Sequence, residues 1–319
     1  MSLIDRMKEE LKGNKKRIIL PEGESKEVLE AASNILKDDL IDIVIIGDKN
    51  NDYPNLDKCT WINKEEIDLD YYVDKLYTLR KDKGMTKELA KSLIEKDNIY
   101  LACLLVLEGK ADGVVSGKIH SSKDTIRPAL QLIKGKEGLV SSFFIMDNDK
   151  DIYMFSDCAL IQSPNSSELS KIASQSIDSF KELVGVTPKV AFLSHSTYSS
   201  DDHISVDKVK EAVRLAKIAN PNELIDGELQ LDAAVIPEVA NIKCPNSPLR
   251  GEANILIFPD IDSGNIGYKL VERFGNYKAY GPIAQGLKYP VNDLSRGSSV
   301  EDIEGVIVIT ALQATKNMI

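Results

Sequence analysis

The chain has 319 residues, 43% of them hydrophobic and 28% charged, a globular balance at a length that favours two domains over one. Its 50 acidic and 40 basic residues give a formal net charge of -10, which argues against a nucleic-acid binder. Any anionic substrate must therefore be gathered by local positive charge set against the field of the whole chain.

In chain order, the opening Met1-Ser2-Leu3-Ile4-Asp5-Arg6 lacks the charged-then-apolar run of a secretory signal. Short apolar runs then alternate with amphipathic stretches. Strands are expected at Arg17–Pro21, Ile41–Gly47, Asp112–Gly117, Val140–Met146 and Ile152–Ser156, and later at Lys189–Ser194, Ala233–Pro237, Asn254–Pro259 and Gly305–Thr310. Helices are expected at Glu24–Lys37, Thr86–Glu108, Ser166–Leu183, Val206–Ala219 and Asn265–Phe274. Several strand runs are apolar on consecutive residues, as in a largely parallel sheet covered on both faces. The alternation predicts α/β architecture, with ligands beyond the carboxyl ends of the strands. There is no internal repeat and no Pro/Gly/Ser-rich linker, so a two-domain chain must cross between its domains through regular elements.

Cys59, Cys103, Cys158 and Cys244 are widely spaced and form no C-x-x-C pair, so free thiols in a cytoplasmic protein are expected, without a metal. No stretch approaches the roughly 20 apolar residues of a membrane span.

Two segments concentrate the candidate chemistry. In Tyr289–Asp302 a hydroxyl (Ser295), a guanidinium (Arg296), a glycine and two acids fall close together. Ser299-x-x-Asp302 has the spacing of a helix capping box, which would make Asp302 a structural cap and Arg296 a solvated charge. Equally, a helix N-terminus with Arg296 beside it forms an anion site, with Ser295 as donor and Asp302 as proton acceptor. In Asp112–Ala129 a buried strand leads through Ser116 and Gly117 into a helix bearing Arg127. Gly113–Lys118 misses the P-loop pattern, with three residues between its glycines and Ile119 where a hydroxyl should follow the lysine. What is left is a glycine- and hydroxyl-rich loop suited to phosphate, in which His120 is a general base or a structural residue. Arg80 lies in a charged run before Gly84, usually a solvated face. Cys158 follows a strand, but Asp157 beside it would raise its thiol pKa, which favours a structural or site-lining thiol. His195 and His203 flank acids without a recurring metal-ligand spacing, and no G-x-G-x-x-G fingerprint occurs.

Taken together, the segments resemble the phosphate acetyl/butyryltransferase family. The matching runs are Pro290–Gly297 (PVNDLSRG), Asp112–Gly117 (DGVVSG), Asp124–Gln131 (DTIRPALQ), Arg80–Thr86 (RKDKGMT), Asp226–Ala234 (DGELQLDAA), Asn254–Pro259, Gly264–Lys269 and Gly281–Leu287, in order over most of the chain. The resemblance implies two α/β domains with mainly parallel sheets around a cleft, like isocitrate and isopropylmalate dehydrogenases, and a homodimer. It implies reversible transfer of an acetyl group between acetyl phosphate and coenzyme A by direct thiolate attack in a ternary complex. It further implies coenzyme A as a substrate and no permanently bound cofactor, and no nucleic-acid or membrane partner is expected. By motif position, Asp302, Ser295 and Arg296 correspond to catalytic residues. Arg80 and Arg127, with Ser116, Gly117 and Cys158, correspond to substrate-binding ones. Some members carry a cysteine where this chain has Ser298. The domains are expected at 1–138 plus 297–319, and at 139–296. Alternatives are a butyryltransferase, a decarboxylating dehydrogenase-like enzyme and a non-catalytic CoA-binding module.

Overall fold

The computed structural model describes residues 2–135 and 138–316. In chain order it has α1 (Leu3–Leu11), β1 (Lys16–Leu20), α2 (Lys26–Ile35), β2 (Ile41–Ile46), β3 (Thr60–Ile62), α3 (Leu69–Arg80), α4 (Lys87–Lys96), α5 (Asn98–Leu107), β4 (Gly113–Ser116) and α6 (Ser122–Leu132). There follow β5 (Ser141–Asp147), β6 (Ile152–Ser156), α7 (Ser166–Leu183), β7 (Lys189–Leu193), α8 (Ile204–Ala219), β8 (Leu224–Leu229), α9 (Leu231–Val235) and α10 (Pro237–Lys243). The chain closes with β9 (Ile255–Ile257), α11 (Ile261–Gly275), β10 (Lys278–Gln285), β11 (Val291–Asp293) and α12 (Val300–Thr315).

The chain divides into two compact units, Met1–Gly138 with Gly286–Ile319, and Leu139–Gln285. The first crossover falls at Leu139. The return falls at Gly286, not after Arg296, because β11 runs parallel to β4 and completes the sheet of the first unit. Residues 1, 136, 137 and 317–319 of the expected first domain lie outside the described residues.

The sheet of the first unit has the order β11-β4-β1-β2-β3, and every pair in it is parallel. Ile18, Ile19 and Leu20 of β1, Ile43–Ile46 of β2 and Val114 and Val115 of β4 are buried, as a sheet covered by helices requires. Helix α12 packs on β1, β4, α1 and α2, while α5 and α6 lie against β4 and β11. With β1, β4 and β11 adjacent and parallel, the loops that leave their carboxyl ends emerge side by side, where ligands of open α/β sheets bind.

The second unit has a six-stranded sheet in the order β10-β5-β6-β9-β7-β8. Its β6, β9, β7 and β8 pair in parallel, but β10–β5 and β5–β6 are antiparallel, so this sheet is mixed.

Three expected elements change. Gly305–Thr310 is the middle of α12, not a strand; Ile303, Val306, Ile307, Val308, Ile309 and Leu312 are all buried, so the helix reads as a continuous apolar run. Ala233–Pro237 lies in α9 and the start of α10. The single helix expected over Thr86–Glu108 is two, because Asp97 ends α4 and caps α5 through the Ile99 amide at 2.8 Å.

Candidate active site

The site in the first unit is assembled from three strand ends. After β1 comes Pro21-Glu22; after β4, Gly117–His120; after β11, Leu294–Ser298, which leads into α12. Ser116 and Asp293 are register partners at the ends of their strands, which brings the Gly117 and Ser295 segments together.

Glu22 is 1% exposed and accepts from four successive amides: Gly117 and Lys118 on Oε2, both at 3.0 Å, and Ile119 and His120 on Oε1 at 2.9 and 3.1 Å. His120 Nδ1 lies 2.7 Å from the same Oε1. Convergent amides of this kind form an anion-binding nest. The nest expected to take a ligand phosphate is thus filled by the chain's own carboxylate, and His120 is tied to that carboxylate.

Lys118 turns the other way. Its ammonium donates to the Arg296 and Ser298 carbonyls at 3.1 and 3.0 Å and lies 3.3 Å from the Glu27 carboxylate. Gly117, at φ +114°, has no room for a side chain: a Cβ would run into Asp293 Oδ1 and lie 2.7 Å from the Leu294 amide nitrogen. Ser116 is fully buried, as are Thr125 and Asp293, and the side-chain oxygens of all three lack a hydrogen-bond partner of full geometry. Burial pushes the Asp293 carboxyl up to about 7, with Glu22 adding to the rise and the nearby Ser122 and Thr125 hydroxyls and the Leu294 amide opposing it.

The Ser295–Ser298 turn is closed by the Ser298 amide on the Ser295 carbonyl at 2.9 Å. Ser295, Arg296 and Gly297 are exposed. The Arg296 guanidinium makes no hydrogen bond or ion pair among the described residues, so it is available to an anion. Asp302 forms the capping box: its Oδ2 accepts from both the Ser299 amide and hydroxyl at 2.8 Å, and its amide donates to Ser299 Oγ at 3.2 Å. The capping reading therefore holds. Oδ1 of the same carboxylate has no hydrogen-bond partner among the described residues, and so the cap orients the group without consuming it.

Arg80 ends α3, and its Nη1 donates to the Gln131 carbonyl at 3.3 Å while its buried Nε has no partner. Arg127 on α6 is half exposed, 3.9 Å from Asp124. Tyr100, whose hydroxyl donates to Gln131 Oε1 at 3.0 Å, links the two: burial raises its phenol pKa, and the charges of both Arg127 and Arg80 act to lower it.

Cys158 lies in the second unit and is not exposed at all. Burial holds its thiol well above the ordinary range, with Asp157 adding to the rise. A Cβ at Gly264 of α11 would lie 3.1 Å from its sulfur, so the helix closes directly over it. The side chains of Cys158 and Ser116 are both enclosed, which gives no support to direct substrate contact. Glu22 and the role of Lys118 escaped sequence reasoning, since both depend on β1, β4 and β11 lying side by side.

Residues 2–311 match the family model described as phosphate acetyl/butaryl transferase. The chain belongs to this family. Within it, the chain is 49% identical over 98% of its length to all of a phosphate acetyltransferase from Thermoanaerobacterium thermosaccharolyticum. It is 45% identical, over the full length of both chains, to a phosphate acetyltransferase from Clostridium acetobutylicum. A solved phosphotransacetylase from Streptococcus pyogenes superposes with a TM-score of 0.91, at 42% identity and over 98% of each chain. Family membership makes the chain an acyltransferase. Among the described residues no group of His, Cys, Asp and Glu could hold a metal, and no helix is long and apolar enough to cross a membrane.

Proposed function

We propose that this chain interconverts acetyl-CoA and phosphate with CoA and acetyl phosphate. The observation that carries the reading is the exposed Ser295–Arg296 turn that leads into α12: the Arg296 guanidinium and Asp302 Oδ1 are both without a partner among the described residues. The relatives from Thermoanaerobacterium thermosaccharolyticum and Clostridium acetobutylicum, both named phosphate acetyltransferase, support acetyl over butyryl.

A free thiol, with a pKa of about 8.5, is only a few per cent ionised near neutrality, so a positioned base helps. Asp302 Oδ1 takes the proton of the CoA thiol. The thiolate attacks the acetyl carbonyl carbon, the S–C bond forms, and the C–O bond to phosphate breaks through a tetrahedral intermediate. Ser295 donates to the oxygen that becomes negative, an interaction stronger in the transition state than in the ground state. Arg296 holds the phosphoryl oxygens and neutralises the departing phosphate. Arg80 and Arg127, gathered around Tyr100, hold further phosphate oxygens of either substrate.

The two α/β units, the second inserted in the first, support the dehydrogenase-like architecture of this proposal. Four unpaired cysteines support a cytoplasmic setting. A homodimer is supported by α11, which exposes Ile266, Leu270 and Phe274 at helical spacing, Phe274 being 82% exposed; a second copy would cover this stripe. Turnover of acetyl phosphate against butyryl phosphate tests the acyl group, with acetyl expected to be the better substrate. Faster turnover of butyryl phosphate would replace the acetyl reading with the butyryl one.

A further inference from the structure

Four consecutive amides aimed at one buried carboxylate are more than a loop needs to hold its shape. The Gly117–His120 loop lies 95 to 98 residues from Glu22 in sequence, and its four backbone amides are all spent on that side chain. Fixing the amides fixes the direction in which Lys118 leaves the loop. That side chain is only 12% exposed, and its ammonium is fully engaged: three partners, the Arg296 and Ser298 carbonyls and the Glu27 carboxylate, meet its three donors. It therefore has no donor left for a ligand phosphate. The two carbonyls flank Gly297, so the ammonium grips the turn on both sides of its glycine.

We propose that Glu22 and Lys118 are positioning residues for the Ser295–Arg296 turn: Glu22 locks the β4 loop through its amides, and Lys118 carries that fixation across to the turn. The proposal rests on the functional reading of that turn. Charge-assisted hydrogen bonds to carbonyls are stronger than neutral ones, and a misplacement of about 1 Å in a catalytic group costs about a hundredfold in rate. Glu27, on the first turn of α2, completes the clamp from a third element.

The test uses Lys118→Met, which keeps the packed stem and removes the donors, and Glu22→Gln, which leaves one acceptor oxygen where two served four amides. Acetyl phosphate and CoA are each titrated against the full-length variants, and amide hydrogen exchange is followed at residues 296–298 and within α12. The expected result is a fall of about a hundredfold in kcat, with a rise in the KM for acetyl phosphate as Arg296 is displaced and the KM for CoA unchanged. Faster exchange at Gly297 and Ser298, with the α12 core still protected, should accompany it. Unchanged kcat and KM values together with unchanged exchange would overturn the proposal. So would an equal loss for both substrates with a lowered Tm, which marks a purely structural role. If the wild-type chain transfers no acetyl group to phosphate, the functional reading fails on its own, and the exchange measurement still decides whether Glu22 and Lys118 hold the turn.

Discussion

The Asp302 cap uses one oxygen, Oδ2 bound to Ser299, and leaves Oδ1 without a hydrogen-bond partner among the described residues. Asn can serve the same cap but cannot take a proton. Asp302→Asn is therefore expected to keep the Tm while lowering turnover about 10²- to 10⁴-fold; near-normal turnover across pH would leave Asp302 as a cap alone. Ser295→Ala should lower kcat about a hundredfold with little change in KM, since its bond forms to charge that develops only in the transition state. At Gly117, both the positive φ and the crowding against Asp293 and Leu294 oppose a side chain. Gly117→Ala is expected to cost about 1–3 kcal/mol in a urea melt. Ser295, Arg296 and Asp302 were legible in the sequence because they share one short motif. Glu22 was not: in Pro21-Glu22-Gly23 it reads as a surface acid, and only the parallel pairing of β1 with β4 reveals it as the anion of a loop nearly a hundred residues away.

Among the elements, α3 and α5 are joined by Glu108, which follows α5 and is bound by Lys75 and Tyr71 of α3 and by Lys110. Burial alone would raise the Glu108 pKa, but the hydrogen bonds from Lys110, Lys75 and Tyr71 outweigh it and bring the carboxyl down to about 2. Because the folded-state pKa is depressed, this stabilisation is fully present above the unfolded value of about 4.3 and is lost as pH falls toward 2. Denaturant melts of the wild type and Glu108→Gln should differ at pH 7 and converge near pH 2; a constant difference would contradict the shift. The elements themselves were legible where patterning and burial agreed. β1, β2 and β4 are buried on both faces, and their apolar runs gave them away. α12 is equally enclosed, and a short apolar run cannot separate a buried helix from a buried strand. β8 escaped because Asp226 and Glu228 are buried within it, where Tyr198 and Lys217, or Ser196 and the Ser199 amide, satisfy them. β10 escaped because Gly281-Pro282 interrupts its pairing with β5 between Tyr280 and Ile283.

For the whole molecule, the net charge of -10 is set against an exposed Arg296 turn and, around Tyr100, against Arg80 and Arg127, all in the first unit, while the loop that resembles a phosphate cradle is occupied from within. The apolar stripe of α11 carries the oligomer prediction: the wild type should sediment as a dimer and Phe274→Glu as a monomer, and a monomeric wild type or an unchanged mass in the variant would contradict it. The most direct test of the central claim is release of free CoA thiol from acetyl-CoA, with and without phosphate, by the wild type and Arg296→Gln. Phosphate-dependent release that is strongly reduced in Arg296→Gln is the predicted result. Release that ignores phosphate, or no release by the wild type, would contradict it.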